Sequence, residues 1–196
     1  MEPVCKELDI RFTANKGYSS SSALYKIGGD ISDLISDGKR VAILYFGDHD
    51  PSGIDMTRDV EDRLRLLSGE GDWDSDEGRV IAHDEDPDTT NLLIKRVALN
   101  MDQVRQYNPP PNPAKLSDSR ADGYIREYGR ESWELDALEP RVLEGLVREF
   151  ADEYCDEETM DAAKERQAEG RTLLREIADR LERGESLWTG ESEDED

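Results

Sequence analysis

The sequence predicts an α/β protein: a mostly parallel sheet flanked by helices, followed by a C-terminal helical extension. Three observations carry this. Val41 to Phe46 (VAILYF) is a short, β-rich apolar run with no polar break, the pattern of a strand buried on both faces. It lies between two stretches of helical period, Leu24 to Ile35 and Ile54 to Leu67, and a second strand-like run follows at Leu92 to Leu99. From Pro140 onward the period is helical throughout. The expected organisation is an α/β domain over residues 1–150, a charged helical extension over 151–190 and a disordered acidic tail over 191–196.

Glu2 to Leu8 sets Val4, Cys5 and Leu8 on one face and reads as the last turns of a helix, so the domain is expected to be incomplete at its N-terminus. Ile10 to Thr13 reads as a short strand. Gly17, Tyr18 and the serines Ser19 to Ser22 offer a turn and an N-cap for the helix through Ile35, with Gly28–Gly29 a candidate interruption and Asp37–Gly38 its end. After the strand Val41 to Phe46 come Gly47, Asp48, His49, Asp50, Pro51, Ser52 and Gly53. A helix follows, its face marked by Ile54, Met56, Val60, Leu64 and Leu67. Ser68 to Arg79 reads as an acidic surface loop, and Val80 to Ala82 and Leu92 to Leu99 as strands. Asn100 with Gln103 has the form of a capping box for a helix ending near Tyr107. Asn108 to Pro113 is a rigid connector, Lys115 to Tyr128 a loop and helix, and Trp133 to Leu135 a short strand. Two helices close the chain, one carrying Val142, Leu143, Leu146, Val147 and Phe150, the other running from Glu157 to Leu181.

The chain has 48 Asp and Glu against 25 Lys and Arg, a net charge of −23, and the acids are spread through nearly every segment. A surface acidic throughout fits concentrated salt, where self-repulsion is screened over roughly 3 Å at 1 M. The charge therefore does not exclude a nucleic-acid partner. Cys5 and Cys155 stand far apart in apolar helical patterns and read as buried free thiols, without zinc spacing. No signal peptide or long apolar stretch is present, so no membrane partner is expected and the expected location is the cytoplasm.

Ligands of open α/β sheets bind at the carboxyl ends of strands, which is where Asp48 and Asp50 stand. Two readings are open for them. As a pair they suit a hard cation such as Mg²⁺, which takes oxygen ligands and keeps several waters. As single residues they cap the helix that begins near Ile54.

The blocks that decide more are Gly17-Tyr18-Ser19-Ser20, Tyr45 to Met56 (YFGDHDPSGIDM) and Arg96 to Asn108 (RVALNMDQVRQYN), then Lys115, Asp118 and Arg120, and Trp133 to Leu138 (WELDAL). In order and spacing this series resembles the Toprim domain of the topoisomerase VI A subunit and its phage and archaeal relatives. The resemblance runs from Met1 to Val147. It implies a Toprim-like, Rossmann-like sheet in which a Glu after the first strand and an Asp-x-Asp after a later one hold Mg²⁺ for cleaving or rejoining phosphodiesters. Carried over, Asp48 and Asp50 become the catalytic and metal-holding residues, and DNA the partner. With the acidic surface, the expected source is a halophilic archaeon or its virus, and the location then the host's cytoplasm.

Two departures qualify the match. The glutamate and its strand would lie upstream of Met1, and no winged-helix domain with a cleaving tyrosine is present. Either the start is late, or another chain supplies the first strand, or the fold is kept as a non-catalytic interaction module. The unpaired sheet edge would suit a partner chain or a second copy. A haloacid-dehalogenase-type phosphatase also carries Asp-x-Asp after a strand, but Gly47 and Pro51 fit it poorly.

The other polar residues of the blocks also divide. Lys115 and Arg120 are candidates to meet phosphate, against ion pairing with nearby acids. Glu134 and Asp136 are candidates to support the metal, against Asp136 capping the following helix. His49 reads as a general acid or as a surface or supporting residue pointing away from its neighbours, and His83 as a metal ligand or part of an acidic loop.

Overall fold

The computed structural model describes residues 1–14, 20–155 and 157–185, in two compact units, Met1–Phe150 and Ala151–Asp196. Gly17, Tyr18 and Ser19 of the N-terminal block, and the acidic tail 191–196, lie outside the described residues. The chain is mixed α/β, with a small parallel sheet and flanking helices.

In the first unit, α1 (Glu2–Glu7) buries Val4 and Cys5 against Val147, with Phe46 alongside. Ile10 to Thr13 is not a strand: among the described residues no neighbour pairs with it, and the Ile10 N–H closes instead on the Cys5 carbonyl at 2.7 Å. Helix α2 (Ser21–Ser36) starts at Ser20, whose hydroxyl oxygen accepts from the Ala23 N–H at 3.2 Å. Gly28 and Gly29 do not interrupt it. Gly28 lets α2 approach α3 (Pro51–Ser68) closely, because a Cβ there would collide with Cβ of Leu67.

Strand β1 (Val41–Phe46) pairs in parallel with β4 (Leu92–Ala98), Val41 opposite Leu92. Its side chains alternate as a strand's must. Val41, Ile43 and Tyr45 pack with Leu24, Ile31, Val60 and Leu64 of the helices on one face. Leu44 and Phe46 pack with Val97, Leu99, Trp133 and Leu146 on the other. β1 is half-buried, not fully buried, and its Ala42 is exposed. The reason is the width of the sheet: β1 and β4 are its only strands among the described residues, so each keeps an open edge.

The mostly parallel sheet expected from the sequence is thus reduced to one pair; the other two pairings are antiparallel. One is β2 (Gly71–Asp74) with β3 (Arg79–Ala82), a hairpin where an acidic loop was expected. Its turn is built by Asp74, whose Oδ1 accepts from the N–H groups of Asp76 and Glu77 at 2.8 and 3.1 Å, and by Gly78 at φ 66°. The other is β5 (Asn112–Pro113) with β6 (Glu131–Ser132), which places the short strand expected at Trp133 to Leu135 two residues earlier. Between them lie α4 (Met101–Tyr107), started by Asn100 with the Gln103 side chain accepting its N–H at 3.0 Å, and α5 (Ala121–Tyr128). After a 3₁₀ turn at Leu135–Ala137, α6 (Pro140–Tyr154) sets Leu146 and Val147 into the core.

In the second unit, α7 (Glu157–Glu182) is charged, with Leu173, Leu174 and Leu181 exposed. Cys5 is buried and Cys155 half-buried; both are free. No described helix is long and apolar enough to cross a membrane.

Candidate functional site

The site is the segment that joins β1 to α3. Asp50 is extended (φ −139°, ψ 170°) and is the N-cap of α3. Its Oδ1 accepts from the Gly53 N–H, one of the donors a helix start leaves unsatisfied, and from the Ser52 hydroxyl at 3.0 Å. Pro51 opens the helix, where its missing N–H is no loss. Gly53 has no room for a side chain: a Cβ would strike the Asp48 carbonyl and lie 3.1 Å from Oδ1 of Asp50. Gly53→Ala is therefore expected to destabilise the chain by about 2 kcal/mol in urea unfolding. An unchanged midpoint would show that this turn relaxes freely.

Asp48 turns to a segment 87 positions downstream. Its Oδ1 accepts from the Leu135 N–H at 2.8 Å, and Oδ2 has no hydrogen bond among the described residues. Oδ2 of Asp50 meets only the Ser52 hydroxyl, at 3.2 Å. Each carboxylate thus builds backbone with one oxygen and leaves the other largely open. The helix-cap reading holds for Asp50 and not for Asp48, whose carboxylate serves Leu135 instead; neither group is exhausted by its structural bond.

Arg96 holds the segment from beneath, a role not assigned to it from the sequence. A bulge in the β1–β4 ladder pairs Tyr45 with Arg96 but Phe46 with Ala98, so Val97 and Ala98 both enter one core while Arg96 stays on the α3 side. Its Nη2 donates to the carbonyls of Gly47 at 2.9 Å, Asp48 at 2.6 Å and Leu99 at 3.2 Å. Its Nη1 donates to the Gly53 carbonyl at 3.2 Å and the Thr57 hydroxyl at 2.5 Å. Burial lowers the guanidinium's pKa, and Tyr45, Asp48 and Asp50 nearby raise it in part.

His49 lies between the two aspartates and faces the other way, as alternation requires. It is 2% exposed, not a surface residue. Its backbone exchanges hydrogen bonds with Trp133, at 2.8 and 2.9 Å, and its ring meets Tyr124, Tyr128 and Trp133 edge-on. Nδ1 is 2.8 Å from the Tyr124 hydroxyl, which also lies 2.8 Å from the His49 carbonyl and 3.0 Å from that of Glu131. Burial, then the Arg96 charge, lowers the imidazole pKa. Above about 6.5 both folded and unfolded chains hold the ring neutral, and its burial is unopposed. As pH falls below that value the unfolded chain takes up the proton first, so stability drops by up to about 1.4 kcal/mol per pH unit until the folded value is passed. Urea unfolding at about pH 7 and pH 5.5 should show a larger loss for wild type than for His49→Asn. Equal losses would mean that the ring is not held neutral by the fold.

The remaining sequence candidates disperse. Arg120 is bound on two sides, to Asp118 at 2.7 Å and to Asp55 of α3 at 2.9 Å, so it is a strut between α5 and α3. Lys115 is exposed and has no ion pair among the described residues. Glu134 and Asp136 are exposed on either side of Leu135, whose N–H holds Asp48. Asp136 sits inside the 3₁₀ turn and does not cap α6. His83 pairs with Asp72 across the hairpin at 3.0 Å. Among the described residues no group of three or more His, Cys, Asp or Glu is placed to hold a metal.

A cleft of about 470 Å³ opens at the carboxyl ends of β1 and β4, lined by His49, Thr57, Arg58, Arg96, Asn100 and Tyr128 among others. Asp48 and Asp50 are not part of its wall. No protein-family model, curated protein or solved structure matches the chain.

Proposed function

We propose that the chain is a Toprim-like protein that acts on nucleic acid with Mg²⁺, cleaving phosphodiesters or serving as a component of a topoisomerase-like assembly. The observation that carries this reading is the pair of open oxygens, Oδ2 of Asp48 and Oδ2 of Asp50, just past the carboxyl end of the parallel strand β1. Mg²⁺ commonly takes one or two carboxylates and completes its shell with water and phosphate, so two such groups suit it without a third. Bound there, the ion would supply charge stabilisation to the phosphate oxygens and the leaving alkoxide. Asp48 and Asp50 would hold and orient it. The Arg96 clamp keeps their backbone in place, and exposed Lys115 is available to a phosphate.

A second reading has its own support. Asp50 caps a helix and Asp48 ties down Leu135, so both would be needed in a non-catalytic Toprim-fold interaction module as well. The open edges of the β1–β4 pair suit a partner chain or a second copy in either case.

Incubating supercoiled plasmid with Mg²⁺ at high salt, with wild type and Asp48→Ala, separates the two. The enzyme reading expects nicking by wild type that the variant loses. Equal nicking by both, or none by either, leaves the interaction module.

A further inference from the structure

We infer that α7 is a docking surface for an amphipathic helix of another protein, one whose apolar seam is bordered by Asp and Glu. The inference is independent of the aspartate pair and of the nucleic-acid reading.

The seam is regular. Met160, Ala163, Gln167, Gly170, Leu174, Ile177 and Leu181 are spaced alternately by three and four, the a and d positions of a heptad repeat. That spacing sets them along one stripe of the helix. Its C-terminal half lies open: Leu174 is 67% exposed and Leu181 55%, with Leu173 beside them at 57% and Ile177 half-buried. Gly170 stands at the centre of the stripe, where glycine weakens a helix interior. The fold does not call for it, since a Cβ there would meet nothing within 4 Å. A gap at a d position admits a large side chain from a facing helix.

Charge specifies what covers the seam. From Met160 to Glu182 every Asp and Glu falls at b, c or f, away from the stripe. Lys164 and Arg171 stand at e, and Arg166 and Arg180 at g, along its two borders. This basic frame belongs to a chain with 48 acids and 25 bases. Lys164 meets Asp161 at 3.6 Å, Arg171 meets Gln167 at 3.4 Å and Arg180 meets Glu185 at 3.5 Å, all exposed contacts that a partner's carboxylate can replace at little cost.

A second copy of α7 does not fit this frame. In a parallel pair g faces e of the next heptad, so Arg166 would meet Arg171 of the copy. In an antiparallel pair e faces e and g faces g, bases against bases again. An anionic membrane fits no better, because α7 carries more acids than bases and its outer face is acidic. A helix with acidic e and g positions is attracted along both borders while its apolar residues fill the stripe.

Two synthetic peptides of four heptads, with Leu at a and d, test this; they differ only in Glu or Lys at e and g. Each is fluorescently labelled and titrated with the full chain at about 0.15 M salt, where charges still act over roughly 8 Å. The Glu peptide should bind saturably and the Lys peptide about tenfold more weakly, although the chain's net charge of −23 favours the Lys peptide. Leu174→Asp should weaken Glu-peptide binding about tenfold with an unchanged far-UV circular dichroism spectrum. The double variant Arg166→Glu/Arg171→Glu should reverse the preference between the peptides. No saturable binding, equal or tighter binding of the Lys peptide, or a preference that the double variant leaves as it was would each overturn the inference. So would a dimer in analytical ultracentrifugation that Leu174→Asp dissolves, which assigns the stripe to a second copy. None of these results bears on the plasmid assay, so the two readings fall separately.

Discussion

Replacing Arg96 with methionine lowers the melting temperature by about 10 °C, the equivalent of roughly 3–4 kcal/mol in a chain of this size. The guanidinium is the common donor to the carbonyls of Gly47, Asp48, Gly53 and Leu99. Methionine fills much of its volume but donates nothing, so these oxygens lose a partner inside the fold at about 1–3 kcal/mol for each one left unsatisfied. Some are not wholly orphaned: the Gly47 carbonyl still receives the Leu99 N–H, and that of Gly53 the Thr57 hydroxyl. Removing the buried, unbonded Arg96 Nε also recovers a little. These offsets keep the loss below a simple sum. Arg96→Lys should fall between the two, since an ammonium keeps the charge but cannot fork across the same acceptors. Differential scanning calorimetry gives the answer; a methionine variant within a degree or two of wild type would show that the segment after β1 holds itself.

Trp133→Ala is expected to cost about 3–5 kcal/mol, the range for deleting a large buried aromatic. Trp133 is 6% exposed and packs in the core with Val97, Leu99 and Leu146. Its backbone also forms the bridge to His49, and Leu135 two residues on gives the N–H that holds Asp48. The cavity left by the indole therefore opens under the site. Urea unfolding should show the loss as a lower midpoint with an unchanged slope. A cost under about 1 kcal/mol would mean that the core collapses to fill the space.

Much of the scaffold was legible locally. β1 ends where the apolar run ends, and Asp50, Pro51 and Gly53 start α3 because cap, proline and glycine each satisfy a need of that one turn. Ser20 and the Asn100–Gln103 pair mark α2 and α4 in the same way. The failures share a cause. Ile10 to Thr13 has the composition of a strand and no pairing strand among the described residues, while Gly71 to Asp74, acidic and unpromising, becomes one because Arg79 to Ala82 folds back on it. A ladder depends on two segments, and composition describes one at a time.

The candidate site divides along the same line. Asp48 and Asp50 could be placed at a strand end from the order of residues alone, and so could their suitability for a cation or a cap. His49 could be said to point away from them. What it meets there depends on Tyr124 and Trp133, more than seventy positions downstream. In the sequence Arg96 stands beside Lys95 in an otherwise apolar run; a one-residue bulge turns it into the clamp of the whole segment. Local chemistry is written in neighbouring residues, because caps, turns and periodicity act within a few positions. The hub around Arg96 and the orientation of His49 exist only where distant stretches of backbone meet and their polar groups must be satisfied out of water.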